Sequence, residues 1–246
     1  MIRKNILGVP VDIVTMDSAM SFIHEYLHAP RQQAGFVLAV NPEKVLTLRE
    51  NPSLLEFFKQ ATMLIPDGIG VVKAMQWQGE TIGRVPGADL MQRICAESVA
   101  HQYKLFIYGG SEEVNSQATE ELRRRYPGIN IVGRESGFLP QDKMPELVKR
   151  INESEAEVLF IALGSPRQEN WMQTYAGELS TVKLCQGIGG TLDTITGAVK
   201  RAPVAWQKLN LEWFYRLLCQ PTRIKRQLRL FKFLCMALKE RFSSSR

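Results

Sequence analysis

Pro66-Asp67-Gly68-Ile69-Gly70 places a carboxylate where an apolar run, Thr62–Ile65, gives way to a helical pattern. A carboxylate at a strand end can take a proton. The glycines behind it let a ligand reach the backbone and the free N–H groups of a helix start. The same residue types also describe an ordinary helix cap. Arg84, in Gly83-Arg84-Val85-Pro86-Gly87-Ala88-Asp89, suits a phosphate clamp or a surface ion pair. Gln168, in Gly164-Ser165-Pro166-Arg167-Gln168-Glu169, offers a donor and an acceptor to a sugar hydroxyl or a uracil edge. Gly187-Ile188-Gly189-Gly190-Thr191 follows an apolar run, and its N–H groups suit a diphosphate. Leu192 breaks the G-x-G-x-x-G fingerprint, and no G-K-[ST] occurs. Gly109-Gly110-Ser111 is a second, weaker loop of this kind; either loop also reads as a tight turn.

Other chemistries lack their residues. No Asp-x-Asp occurs to grip a metal–nucleotide, and no G-x-S-x-G to form a hydrolase elbow. The third glycine and ribose acid of a nicotinamide enzyme are missing. Cys95, Cys185, Cys219 and Cys235 form no C-x-x-C, which predicts reduced thiols and no structural zinc. His24, His28 and His101 fall in predicted helices away from the strand ends. They read as solvent-facing residues with no metal cluster among them.

Short apolar runs must position these loops. Candidate strands are Gly35–Val40, Thr62–Ile65, Lys104–Tyr108, Asn130–Val132, Glu157–Leu163 and Val182–Gln186. Helical patterns span Asp17–His28, Pro42–Glu50, Leu54–Gln60, Ile69–Gln76, Ala88–Ala100, Glu112–Tyr126, Lys143–Glu153 and Gln168–Gly177. This β-α-β-α rhythm predicts an α/β fold, a mostly parallel sheet with helices on both faces. Runs such as Val-Leu-Phe-Ile-Ala-Leu are apolar without alternation, as doubly covered strands are. Ligands of open parallel sheets sit beyond the carboxyl ends of the strands, where most of the glycine and polar punctuation falls.

The 246 residues are 45% hydrophobic and 23% charged, an ordinary globular composition. No apolar run approaches the ~18 residues of a membrane span, and the start lacks the apolar core of a signal peptide. The net charge of +6 is uneven: residues 200–246 carry 12 Lys/Arg against 2 acids, while residues 1–199 are mildly acidic. From Ile224 an apolar stripe runs through Leu228, Phe231, Cys235, Leu238 and Phe242 at helical steps, with arginines and lysines around it. A basic amphipathic helix reads as a membrane-surface binder, or as a helix packed on the body or a partner. Little aromatic interleaving speaks for nucleic acid.

Seven ordered blocks resemble the WecG/TagA/CpsF family of bacterial glycosyltransferases over essentially the whole length. They are Asn41-Pro42-Glu43-Lys44, Pro66–Gly70, Arg84–Leu90, Gly164–Glu169, Gly187–Asp193, Gly197–Pro203 and Leu211–Leu217. Asn41–Lys44 and the run Gln220–Leu230 look closest to the WecG branch. The resemblance implies a Rossmann-like body (1–199) and a membrane-associating helical appendage (200–246). It implies an inverting, metal-independent transfer of an N-acetylmannosamine-type sugar from a UDP donor to polyprenyl-diphosphate-linked N-acetylglucosamine, forming a β-1,4 bond. No cofactor is expected. Asp67 matches the family's proposed general base. Arg84, Gln168 and the appendage residues Arg216, Arg223 and Arg226 match positions tied to activity or diphosphate binding. Asn41, Gly68, Gly109, Gly187, Gly189 and Gly190 are the further substrate-binding candidates. The resemblance also implies a cytoplasmic protein peripheral to the inner membrane, with monomer–dimer exchange. Ala39 departs from the Thr of some members, which removes any acceptor contact of that hydroxyl. A UDP-glucose-using relative and a non-catalytic membrane-surface protein are the alternatives.

Overall fold

The structure is a computed structural model. It describes residues 1–30, 33–200, 202–203, 205–206, 212–219 and 224–243, with the side chains of 216, 219, 224–228 and 243 left aside. A hairpin of β1 (Arg3–Ile6) and β2 (Val9–Asp12) precedes α1 (Met16–His28). Then follow β3 (Gly35–Val40), α2 (Pro42–Glu50), α3 (Pro52–Lys59), β4 (Met63–Pro66), α4 (Ile69–Trp77) and α5 (Gly87–His101). The second half holds β5 (Leu105–Gly109), α6 (Glu112–Arg125), β6 (Ile131–Glu135), α7 (Met144–Glu153), β7 (Val158–Ala162), α8 (Arg167–Tyr175), β8 (Leu184–Gly187) and α9 (Thr191–Thr196). Two helices of the basic segment complete the described elements, α10 (Glu212–Cys219) and α11 (Ile224–Ser243).

β3 to β8 form one sheet in the order β4-β3-β8-β7-β5-β6, every pair parallel. Successive strand residues serve opposite cores, the direct result of the two-residue side-chain period. Leu38, Leu64, Phe106, Leu159 and Cys185 pack with α2, α3, α4, α7, α8 and α11 on one face. Val37, Met63, Ile107, Phe160 and Leu184 pack with α1, α5, α6 and α9 on the other. The predicted three-layer α/β fold is therefore present.

The hairpin has no counterpart among the predicted strands. β1 is exposed except at Ile6, and the buried β2 is only four residues long with Pro10 inside it, so neither strand makes a clear run. Its turn residue Leu7 has a φ of 53° and Gly8 a φ of 82°. Groups both within it and far along the chain hold it. The buried Asp12 carboxylate accepts from Arg3 at 2.7 Å and from the Leu64 N–H at 2.7 Å, occupying a donor on edge strand β4. Arg49 donates to the Leu7 carbonyl at 2.6 Å, and Glu240 of α11 accepts from the Leu7 N–H at 3.1 Å.

α11 corrects the reading of the tail in one respect. Phe233 (0% exposed) and Ala237 face the body, against α2 and α4, with Leu230 and Leu234 half-buried beside them. Phe231, Cys235, Leu238 and Phe242 of the sequence-derived stripe face outward, with Phe231 61% and Phe242 69% exposed. Ile224 and Leu228 lie outside the described side chains. The helix thus has two apolar faces, because 230, 233, 234 and 237 form a second helical stripe. Arg229 ion-pairs with Glu50 of α2 at 2.9 Å. Among the described residues no helix is long and apolar enough to cross a membrane.

The histidines are solvent-facing as expected at His28 and His101, with His24 half-buried, but they are not separate: α1 and α5 pack side by side and bring all three rings together.

Candidate active site

The carboxyl ends of β4, β3, β8 and β7 stand in that order along one rim. β3 ends at Val40, and Asn41 caps α2, its Oδ1 accepting from the Lys44 N–H at 2.8 Å. The oxygen of this predicted binding residue is thus engaged in holding the helix start. β4 ends beside it, and the Asp67 N–H donates to the Val40 carbonyl at 2.9 Å. This bond fixes the Asp67 backbone at the junction of the two strands and leaves its side chain half-buried. Gly68 then caps α4 without a side chain, at a φ of 101° that L residues rarely adopt.

Arg84 reaches the same corner because the Val85 N–H donates to the Pro66 carbonyl at 2.9 Å. Its Nη2 donates to Glu212 Oε2 of α10 at 2.8 Å, tying the basic segment to the rim. Arg84 Nε is buried and has no partner among the described residues. Gly87 opens α5 against β3 and β4: a Cβ there would lie 3.7 Å from Ala39 Cβ. Ala39, the departure noted above, is therefore within reach of the corner.

Gln168 opens the other side of the rim, at the start of α8. Its Oε1 accepts from the Gly189 N–H at 3.1 Å, and its Nε2 donates to Glu169 Oε1 at 3.3 Å. A Cβ on Gly187 would meet that Nε2 at 2.5 Å, so only glycine admits the buried amide. Gly189 holds a φ of 53°, and Gly190 leads into α9. The N–H groups of Ile188, Gly189 and Thr191 in the predicted diphosphate loop are therefore already bonded to protein.

Two residues that sequence reasoning passed over underlie this side. Lys44 Nζ donates to Glu169 Oε1 at 2.7 Å and also contacts Ser165 Oγ. Lys44 is 8% and Glu169 1% exposed, and Glu169 Oε2 has no partner among the described residues. The sequence carries little signal for either: Lys44 follows half-buried Asn41–Glu43, and Glu169 lies between Gln168 and the exposed Asn170.

Asn41, Asp67, Gly68 and Arg84 thus meet at one corner, with Gln168, Gly187, Gly189 and Gly190 along the same rim. Gly109 stands further along, on β5. Its φ is 123°, and a Cβ would lie 2.5 Å from the Ala162 carbonyl carbon, so close packing of β5 on β7 requires the glycine. Arg223, and the side chains of Arg216 and Arg226, lie outside the described residues. α11 nevertheless bears on the corner: a Cβ on Gly70, in the first turn of α4, would lie 2.7 Å from Pro42 Cγ and 3.4 Å from Leu230 Cδ1.

A half-buried carboxylate, a tethered arginine and a buried amide on one rim can accept a proton, hold an anion and orient a polar ligand. The family model described as Glycosyl transferase WecG/TagA/CpsF family matches residues 4–246. The chain belongs to the WecG/TagA/CpsF family of glycosyltransferases.

Proposed function

We propose that the protein is an inverting transferase that needs no divalent ion. It moves an N-acetylmannosamine-type sugar, the uronic acid in first place, from a UDP donor to polyprenyl-diphosphate-linked N-acetylglucosamine. The observation that carries this reading is the position of Asp67, half-buried at the junction of β3 and β4 and beside the loop of Arg84.

In this reaction the acceptor 4-hydroxyl oxygen attacks C1 of the donor sugar from the face opposite UDP. The O4–C1 bond forms as the bond from C1 to the diphosphate oxygen breaks. Asp67 takes the hydroxyl proton, and UDP leaves with the electron pair. Arg84, whose Nε has no partner among the described residues, and the appendage arginines Arg216, Arg223 and Arg226 offset the charge that grows on the diphosphate. Gln168, locked between Gly189 and Glu169, orients a sugar or uracil group.

The outward stripe supports the membrane part of the reading. Phe231, Leu238 and Phe242 of α11 and Phe214 and Leu218 of α10 are exposed apolar side chains within a segment rich in arginine and lysine. Such a surface enters the headgroup region of anionic lipid. It would bring the rim to a lipid-borne acceptor at the cytoplasmic face of the inner membrane.

The test is turnover of UDP-N-acetylmannosamine, its uronic acid and UDP-glucose on a short-chain prenyl-diphosphate-N-acetylglucosamine, with and without EDTA. One N-acetylmannosamine-type donor should turn over equally in both conditions. Asp67→Asn should lower the rate by about 10²–10⁴-fold with an unchanged melting temperature. A requirement for divalent ion, preference for UDP-glucose, or an active Asp67→Asn enzyme overturns the reading.

A further inference from the structure

Three imidazoles meet at the edge of the sheet opposite the Asp67 rim. α5 begins at that rim, beside Ala39, and runs back to His101, close to the start of β5. α1 likewise ends at His28, before the start of β3. α1 carries His24 and His28 four residues apart, and α5 carries Glu97 and His101 at the same spacing, so each pair shares one helix face. These are all the histidines of the chain. The ring centroids of His24 and His101 are 4.5 Å apart, and those of His28 and His101 5.8 Å.

The polar atoms of this cluster are arranged in two shells. His24 Nε2 lies 2.7 Å from Glu97 Oε2. The other carboxylate oxygen, Oε1, accepts from Arg93 Nε at 2.7 Å. His24 Nδ1 lies 2.7 Å from the hydroxyl of the buried Tyr103, whose ring stacks on His101 at 5.3 Å. His28 Nδ1 lies 2.7 Å from the His24 carbonyl. One ligand atom from each of His24, Glu97 and His101 falls within 4.8 Å of the others.

We propose that His24, Glu97 and His101 bind a divalent transition-metal ion of the zinc class, which clasps α1 to α5. Two imidazoles and one carboxylate form the mixed nitrogen–oxygen set that such ions take, whereas calcium and magnesium favour oxygen alone. The outer contacts suit ligation. With Nδ1–H donating to Tyr103, His24 presents the Nε2 lone pair on the side of Glu97, and Arg93 holds the carboxylate through the oxygen that the ion does not need. In that tautomer no proton lies between Nε2 and Oε2, and the ion accepts a lone pair from each in place of their mutual contact. The site joins two helices at the opposite end of α5 from the Asp67 rim, so its part is structural and separate from sugar transfer.

The experiment uses the full chain without an affinity tag, stripped with EDTA and dialysed. Zinc chloride is titrated by calorimetry, and melting is followed with and without zinc. We expect one ion per chain and a higher melting temperature. His101→Ala should weaken binding at least tenfold and abolish the melting shift, while Cys235→Ser should keep both. Should His101→Ala fail to fold, the imidazole C–H resonances of the unmodified chain decide: those of His24 and His101 should move together as zinc is added. Absence of binding, equal binding by His101→Ala, or unmoved His24 and His101 resonances overturns the inference. Transfer that survives EDTA leaves it standing, so its failure and that of the proposed reaction are read separately.

Discussion

Lys44 Nζ lies 2.7 Å from Glu169 Oε1, joining the start of α2 to the start of α8 across 125 residues of chain. Both side chains are almost wholly out of water, so each charge depends on the other. Lys44→Met leaves a carboxylate buried without a cation and should cost about 3–5 kcal/mol. Urea unfolding should show a lower midpoint at an unchanged slope. The paired change Lys44→Met with Glu169→Leu should recover most of the loss. A single variant as stable as the parent would show that water reaches the pair.

Gly187 tests whether the buried amide of Gln168 matters through its position. A methyl group there would lie 2.5 Å from Nε2 and 3.1 Å from Cδ, forcing the amide away from the Gly189 N–H. Gly187→Ala should cost about 1–3 kcal/mol by overpacking. Its kcat/KM should fall to that of Gln168→Ala, and the double variant should lose little more, as residues acting through one contact do. Additive losses in the three assays would refute the coupling.

The two faces of α11 predict opposite behaviour. Phe233→Ala empties a fully buried site and should cost about 3–5 kcal/mol. Phe231→Ser with Phe242→Ser should leave stability within roughly 1 kcal/mol, since both rings face outward. The same pair should reduce sedimentation with phosphatidylglycerol vesicles at least severalfold. Vesicle binding equal to that of the parent would separate the stripe from lipid.

Thiol chemistry gives a pH-dependent check. Burial pushes Cys95 and Cys185 from 9.0 up to about 12, so at pH 8 only about one in 10⁴ of either is thiolate. Peptide mapping after alkylation should find both unmodified and the exposed Cys235 labelled. Vesicles should shield Cys235 from a water-soluble reagent. The unfolded thiols ionise from about pH 9, whereas the folded ones hold their protons to about 12. Their contribution is therefore complete below pH 9 and is lost as pH rises toward 12, so the melting temperature should fall through that window. Burial of Tyr108, also raised to about 12, acts in the same direction above pH 10.

Strands covered on both faces were the most legible part of the chain. The run at Glu157–Leu163 becomes β7 at Val158–Ala162, because every residue of that strand is buried. Helix starts were equally plain where Asn41 and Ser111 cap them. The hairpin was not legible, since its strands are four residues each and its turn at Leu7-Gly8 is secured by the distant Arg49 and Glu240. The corner around Asp67 followed from loop chemistry at strand ends. The Lys44–Glu169 pair did not, because it depends on β3 and β7 being brought level on either side of β8. Helical period alone also left the inward face of α11 undecided. The packing decides it: Leu230 and Phe233 lie over Gly70 in the first turn of α4, within 3.4 and 3.6 Å of where its Cβ would stand.

The bond from the Leu7 amide to Glu240 bridges 233 positions. A ribosome adding about 5–20 residues per second needs roughly 12–47 s to make the second partner after the first. Throughout that interval the amino-terminal turn is unanchored, and from the moment Gly70 is made its seat for Leu230 stays unfilled for a further 160 residues. The rim beside Asp67 is thus among the last regions to mature. The order of synthesis alone delays this closure, since no contact of α11 with α2 or α4 can form until the last tenth of the chain has been made.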